Sequence, residues 1–578
     1  MKHMLNLFKR YLFQKKYIAY MLITVILVVA QTYIQLVVVL GAMNRIIDEG
    51  VAKSDMNAII SSGIMMLIYT LIQICCTLGV SYFNSVISGN LVRRLRLDCY
   101  RKVLSMNMEE FEHFGASSLL SRTLSDPKAI VSLMEFLLGR VVIFPAALGC
   151  ILVVTFIKNR QVFWTFLIAI VISVVVLLIF KAHAQKYYKI LQNRIDHFNL
   201  SIAEKITGVR TIRAFGCEKY EEKKGIDEDD KIMDAAVKAN RPLYLMTSVT
   251  MLIFNWATVI IYLISFGQIQ ENLLSISNII FIFQYLSYCI MILTLIPSLV
   301  NLLPKAIVAS NRVMDLLNEP SEMTVAKKPF EVKDGTIEFK NVTFGYLNGR
   351  RVLEDLNFTI PGGETLAIVG PTGSGKSTIL HLILGFYDLK EGDILIDGVS
   401  IRDISQEDLA KTLSYAPQGN YIFQDTIRNN IVAFHENVEQ EMIEKACRMA
   451  AFEEVVKSSE DGLETEMMQN GVNLSGGQRK RLVLSRALSK DAAVYLMDEP
   501  FAALDAVTES CVRNNIDREL KGKTKIIVSS KLSSIIHADH ILVLDADHVA
   551  GFGTHKELLK NCRLYKELFD IQNGGEGT

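Results

Sequence analysis

Three short stretches in the C-terminal half carry residue types at spacings suited to phosphate chemistry. The first, Gly370-Pro371-Thr372-Gly373-Ser374-Gly375-Lys376-Ser377-Thr378, follows the apolar run Leu366–Val369. Between a strand and a helix, such a glycine-rich stretch curls its backbone N–H groups around phosphate oxygens at a helix N-terminus. Lys376 then reaches the terminal phosphates, and the Ser377 hydroxyl can ligate Mg²⁺. The second stretch, Val494-Tyr-Leu-Met-Asp498-Glu499, is an apolar run ending in two carboxylates. Asp498 suits the Mg²⁺ shell, and Glu499 can polarise an attacking water as general base. Many buried strands end in acids, so this pair has weight only beside the phosphate loop.

The third stretch, Leu474-Ser475-Gly476-Gly477-Gln478-Arg479, resembles the signature of the ATP-binding-cassette (ABC) ATPases. The resemblance extends over nearly the whole C-terminal domain and implies roles for further residues. Tyr346, in Val342-Thr-Phe-Gly-Tyr346, matches the aromatic that stacks on adenine. Gln418, in Ala416-Pro417-Gln418, matches the glutamine that senses Mg²⁺ and contacts the membrane arms. Ala503-Leu504-Asp505 matches the loop that crosses a dimer interface. In this family two motor domains sandwich two ATP molecules, each between one subunit's phosphate loop and the other's signature. Ser475, Gly476, Gly477 and Gln478 would therefore bind the γ-phosphate of ATP held by a partner. The implied cofactors are ATP and Mg²⁺, and the candidate catalytic groups are Glu499, Gln418 and Lys376.

These residues need a scaffold, and composition says what kind. Of 578 residues, 50% are hydrophobic and only 21% charged, too apolar for an ordinary soluble protein. The apolar residues crowd into the first 305 or so positions. The formal net charge is zero, whereas a nucleic-acid partner would normally leave a basic excess, so none is expected. A crossing needs about 20 apolar residues. Six candidates fit: Ile18–Leu40, Ala58–Ile87, Ile130–Ile157, Gln161–Lys181, Leu243–Gln270 and Leu273–Leu303. Two long connections, 88–128 and 182–241, hold the Lys and Arg clusters, which places them and the amino terminus in the cytoplasm. Each long connection can fold as an out-and-back helical arm reaching roughly 40 Å from the membrane. Ahead of the first span, Leu5, Phe8, Tyr11 and Leu12 fall at helical spacing among lysines, as in a helix lying in the interface plane. The expected domains are thus an interfacial helix at 1–17, a membrane domain at 18–304, a linker at 305–335, a nucleotide-binding domain at 336–572 and a tail at 573–578. In the last domain, apolar runs at Val494–Met497, Ile526–Val528 and Ile541–Leu544 alternate with helical stretches, which predicts an α/β domain with buried strands.

The membrane half is also similar to a known kind, the exporter-type ABC fold. Ile202-Ala-Glu-Lys-Ile-Thr-Gly208 through Phe215-Gly216 resembles the second cytoplasmic arm, and Phe114-Gly115 through Asp126 the first. Six spans followed by one motor is the order of a half-size exporter, so the resemblance implies a second half as partner. It also implies a place in the cell (inner or plasma) membrane with the ATPase domain cytoplasmic. Cargo is expected to be a hydrophobic or amphiphilic small molecule, a lipid or a peptide. Two departures stand out. Where the family has Ser-His-Arg, this chain reads Ser529-Ser530-Lys531, and Glu466-Met467-Met468-Gln469 lacks the usual Gly-Glu. A serine cannot carry imidazolium charge to the γ-phosphate, so ATP on this chain's own loop should be cut slowly. That favours a heterodimer in which the intact signature serves the partner's site. A homodimer, an importer with the exporter fold, and a membrane-bound regulatory ATPase remain as alternatives.

Overall fold

The computed structural model describes residues 2–158, 160–270, 276–293, 296–319, 329–346, 351–389, 391–433 and 438–572. The expected tail, and residues 320–328 of the expected linker, lie outside these. The chain forms two compact units: Met1–Leu104 with Ser117–Glu319, and Ser105–Ala116 with Pro320–Thr578.

The first unit is helical. Its helices include Met56–Leu104, Arg160–Thr207 and Glu218–Gln270, which have 49, 48 and 53 residues. At 1.5 Å per residue each is about 70 to 80 Å long, far more than the roughly 30 Å of a hydrocarbon core. The two predicted arms are therefore continuations of the spanning helices. Among the described residues, five helices are long and apolar enough to cross a membrane, and Ile280–Ile292 is a shorter apolar one. The expected sixth span, 273–303, takes in 273–275 and 294–295, which lie outside the described residues. Only 6% of the most apolar stretch of Met56–Leu104 is buried within the protein, with Leu67, Leu71 and Leu78 outward. Such a surface calls for lipid or another chain rather than water.

The first helix, Lys2–Leu12, buries Met4, Leu7, Tyr11 and Leu12, and the Tyr11 hydroxyl donates to Asp98 at 2.6 Å. Leu5, assigned to the apolar face by spacing, is 59% exposed; the buried stripe runs one position earlier, through Met4. At the far end of the second arm, the short helix Val209–Ala214 is followed by Phe215, 77% exposed.

The second unit is α/β, as the apolar runs predicted. Among the described residues its strands are β1 (Ile337–Gly345), β2 (Arg351–Ile360), β3 (Thr365–Val369), β4 (Glu391–Ile396), β5 (Val399–Ser400), β6 (Leu413–Ala416), β7 (Val494–Asp498), β8 (Thr524–Val528), β9 (His540–Asp545) and β10 (His548–Gly553). They form a four-stranded antiparallel sheet, β2-β1-β4-β5, and a six-stranded sheet, β10-β9-β3-β8-β7-β6. In the larger sheet all pairs except β10 with β9 are parallel. Residues of β3 face alternate cores: Leu366 and Ile368 join one apolar cluster, Ala367 and Val369 the other. Burial on both faces explains the uninterrupted apolar runs seen in the sequence. Because β3, β8 and β7 are parallel neighbours, the loops after them emerge together at one sheet edge, where α/β proteins place their ligand chemistry.

Candidate nucleotide site

The loop after β3 is shaped by its glycines. Gly373 and Gly375 have φ of +85° and +86°, and a Cβ on Gly375 would come within 2.7 Å of the Leu353 side chain. Only glycine enters that backbone region without strain. Gly375 caps the helix Lys376–Ile383, whose free N–H groups face the loop. Lys376 Nζ lies across the loop, donating to the carbonyls of Gly370 at 2.9 Å and Pro371 at 2.8 Å. Burial lowers its pKa, and the charges of Glu499 and Asp498 oppose that shift. The buried Ser374 Oγ has no hydrogen-bond partner among the described residues, while Thr372 and Gly373 are exposed. Thr378 Oγ1 lies 3.0 Å from the Tyr346 hydroxyl, which ties the residue after β1 to the phosphate-loop helix.

β7 delivers the carboxylates. Burial raises the Asp498 pKa against a side-chain hydrogen bond from Ser377, and its Oδ1 is buried without a partner among the described residues. An orphaned carboxylate oxygen beside a serine hydroxyl is a donor set that fits Mg²⁺, which takes oxygen ligands. Ser374 Oγ and the glycine cradle likewise fit a polyphosphate. Glu499 sits at φ +48°, a strained setting of the kind found at functional sites, and its N–H donates to the Val528 carbonyl of β8 at 2.9 Å. Glu499 Oε1 accepts two bonds from the loop after β8: the Ser530 N–H at 2.8 Å and the Ser530 hydroxyl at 2.5 Å. The substituted position is thus in direct contact with the second carboxylate of the pair.

The signature residues are not in this cluster. Ser475 caps the helix Gly476–Leu488 in a reciprocal box: its Oγ accepts from the Gln478 N–H, and Gln478 Oε1 accepts from the Ser475 N–H. Ser475 and Gly476 are exposed, and a Cβ on Gly477 would meet the Ala503 carbonyl at 3.0 Å. Their hydrogen bonds close on their own helix rather than on the phosphate loop, so the donor-rich helix N-terminus is left outward. Asp505, after Ala503-Leu504, caps the helix Ala506–Glu519 through the N–H groups of Thr508 and Val507, and the bonds from the Thr508 N–H and hydroxyl hold its carboxyl below the usual range.

Gln418, grouped by sequence with the catalytic residues, has an exposed side chain. Its loop is joined to β7 by a residue that motif reading missed. Lys480 is only 2% exposed, and its Nζ donates to the carbonyls of Pro417 at 3.1 Å, Asp498 at 3.2 Å and Gln418 at 3.5 Å. One ammonium therefore links the signature helix, the Gln418 loop and β7. A signal existed: Lys480, Leu484 and Leu488 recur at intervals of four, and a lysine on a row that is otherwise apolar needs buried partners. Lys480→Met should destabilise the chain by about 1–3 kcal/mol by leaving those carbonyls unpaired. Thermal melting of the full chain measures it, and an unshifted midpoint would remove the linking role.

A second set of residues beyond motif reach surrounds Tyr346. Its ring packs edge-on against Phe344 and Tyr387 at 5.1 and 5.2 Å between centroids. The Tyr387 hydroxyl donates to Glu112 at 2.7 Å, and the Met108 N–H donates to the Phe386 carbonyl at 3.1 Å. Met108 and Glu112 belong to the helix Met108–Phe114 at the tip of the first arm, which Asn107 caps.

Comparison with known proteins agrees with both halves. Residues 18–293 match the ABC transporter transmembrane region, and residues 353–502 match the ABC transporter family. An uncharacterized ABC transporter ATP-binding protein of Mycobacterium tuberculosis is 32% identical over 541 residues, 92% of each chain. The ATP-dependent lipid A-core flippase of Escherichia coli (strain K12) is 29% identical over 545 residues, 93% of this chain and 92% of that one. Among solved structures, a bacterial Atm1-family ABC exporter with ATP bound superposes with a TM-score of 0.80 at 23% identity, covering 96% of this chain and 99% of the other.

Proposed function

We propose that this chain, which belongs to the ABC transporters and so couples ATP hydrolysis to transport, is one half of a heterodimeric exporter of a hydrophobic or amphiphilic compound. Its own phosphate-loop site hydrolyses ATP slowly, and its signature completes a faster site on the partner. The observation that carries this reading is the pair of bonds from Ser530 to Glu499. The residue at 530 stands beside the general base, yet its short hydroxyl is spent on that base and cannot also reach a γ-phosphate.

In this reading Tyr346 stacks on adenine, and the N–H groups of Gly373 to Thr378 with Lys376 hold the phosphates. Ser377, Asp498 and Gln418 hold Mg²⁺, which when bound neutralises charge developing on the transferred phosphoryl group. Glu499 takes the proton of the attacking water. Ser475 and the N–H groups of Gly476 and Gly477 offer donors to a γ-phosphate on the partner's loop, where the helix dipole favours negative charge. Hydrolysis removes that anion and weakens the hold between the two motor domains. The outward signature and the exposed Phe215 at the arm tip support a second half, because among the described residues neither is covered. The uncovered apolar helices, and the relative that is a lipid A-core flippase, support an amphiphilic cargo. The basic residues of the long connections support a motor on the cytoplasmic side, and the exporter family supports the cell membrane.

The test is mass spectrometry of the tagged chain extracted gently from its native membrane, followed by ATP-dependent flux in vesicles. A second, different half-transporter in equal amount is the expected result. Recovery of this chain alone, as a dimer with rapid turnover, would sink the heterodimer. In the assembled pair, Lys376→Ala should leave more than half of the steady-state hydrolysis, since the faster site keeps its own lysine.

A further inference from the structure

The last described residue makes a contact that the phosphate chemistry above does not use. Gln572 ends the helix Arg563–Gln572 and spans the loop after β8 with both ends of its amide. Its Oε1 accepts from the Leu532 N–H at 2.8 Å, and its Nε2 donates to the Ser530 carbonyl at 2.8 Å. Only one orientation of the amide satisfies both backbone groups.

The glutamine is presented from a fixed support. Tyr565 on the same helix is fully buried, with its hydroxyl 2.7 Å from His555 Nδ1, and the Phe569 ring packs on His555 at 5.3 Å. Ser530 therefore stands between two anchors. Its N–H and hydroxyl point to Glu499, and its carbonyl points to Gln572. On either side, the Ser529 N–H donates to the Ile368 carbonyl at 3.2 Å and Lys531 pairs with Glu509 at 2.7 Å.

We infer that Gln572 is a positioning residue for hydrolysis at this chain's own phosphate-loop site. By holding the Ser530–Leu532 backbone, it fixes where the two Ser530 donors meet Glu499 Oε1. A carboxylate pinned at one oxygen presents the other in a single direction, and proton transfer to a general base depends steeply on that geometry. The inference rests on Glu499 being that base. Neither Gln572 nor Ser530 belongs to the phosphate loop, so loss of the clamp should slow hydrolysis without weakening nucleotide binding.

The experiment uses the full chain with whatever half co-purifies and photoreactive azido-ATP, read on this chain's own band. Labelling in the cold reports binding, and the rate of vanadate-dependent trapping reports hydrolysis. Gln572→Ala should slow trapping about tenfold, with cold labelling and the melting midpoint unchanged. Gln572→Glu keeps the side-chain length and the acceptor for Leu532, but sets a carboxylate oxygen against the Ser530 carbonyl. It should be at least as slow as the alanine variant, a pattern that mere packing would not produce. Trapping by Gln572→Ala at the unaltered rate overturns the inference. So does a parallel loss of cold label and melting midpoint, which would make the glutamine a structural support only. Glu499→Gln serves as the control: if it traps at the normal rate, the assignment of the base is wrong. If the unaltered chain takes no cold label, the nucleotide site itself is misread, and the positioning role falls with it.

Discussion

Replacing Ser475 by arginine should lower steady-state ATP hydrolysis of the assembled transporter by about two orders of magnitude, the scale on which a lost donor to a developing anion is felt. Ser475 is exposed, heads a 13-residue helix and uses its Oγ to accept from the Gln478 N–H, so its hydroxyl proton is free to donate outward. A guanidinium at this position breaks the capping box and occupies the space in front of the helix N-terminus. Because the signature's hydrogen bonds do not reach this chain's phosphate loop, azido-ATP labelling of the chain itself should survive. Phosphate release and labelling, measured on one preparation, separate the two effects. Normal turnover in the variant would mean that the signature of this chain serves no active site. Loss of the chain's own label would mean that the helix supports its own phosphate loop instead.

The second large effect is a gain. Ser530→His should speed vanadate trapping on this chain at least about tenfold, since an added donor at a developing phosphoryl charge is worth that much or more. The backbone is already in place: the Ser530 N–H lies 2.8 Å from Glu499 Oε1, and Gln572 and Lys531 hold the loop on both sides. Residue 530 is exposed, so an imidazole has room to extend past the carboxylate toward the phosphates. Steady-state turnover of a heterodimer would rise less, because its faster site is unaltered. A trapping rate equal to that of the unaltered chain, with cold labelling intact, would show that the serine does not limit hydrolysis and would remove the main reason for preferring two different halves.

Motifs exposed the phosphate loop and the carboxylate pair because each is contiguous: one run of nine residues, one strand and its end. The buried strands were equally legible, since β3, β7 and β8 are covered on both faces and read as unbroken apolar runs. The contact of Ser530 with Glu499, 31 positions apart, came within reach only through the family pattern. The spacing of Lys480 with Leu484 and Leu488 marked it as buried, but its partners are backbone carbonyls, which leave no trace in side-chain spelling. The bond of Tyr387 to Glu112 joins residues 275 positions apart and has no local signature at all. On the first helix Tyr11 and Leu12 are buried but Met4 replaces Leu5 on the covered face, because both are apolar and the packing partner decides which of them turns inward.

The grouping of Ser105–Ala116 with Pro320–Thr578 means that the motor is not a continuous stretch of chain. Cutting near residue 320 to obtain a soluble ATPase would remove Glu112 and Met108, leaving the Tyr387 hydroxyl and the Phe386 carbonyl to find water. The aromatic set of Phe344, Tyr346 and Tyr387 would then lose its outer fastening next to the proposed adenine position. Nucleotide affinity measured on such a fragment would describe a truncated pocket rather than the transporter's own. The same architecture gives a borrowed segment of only twelve residues a disproportionate part in the motor, since its Glu112 fastens the ring that packs on Tyr346.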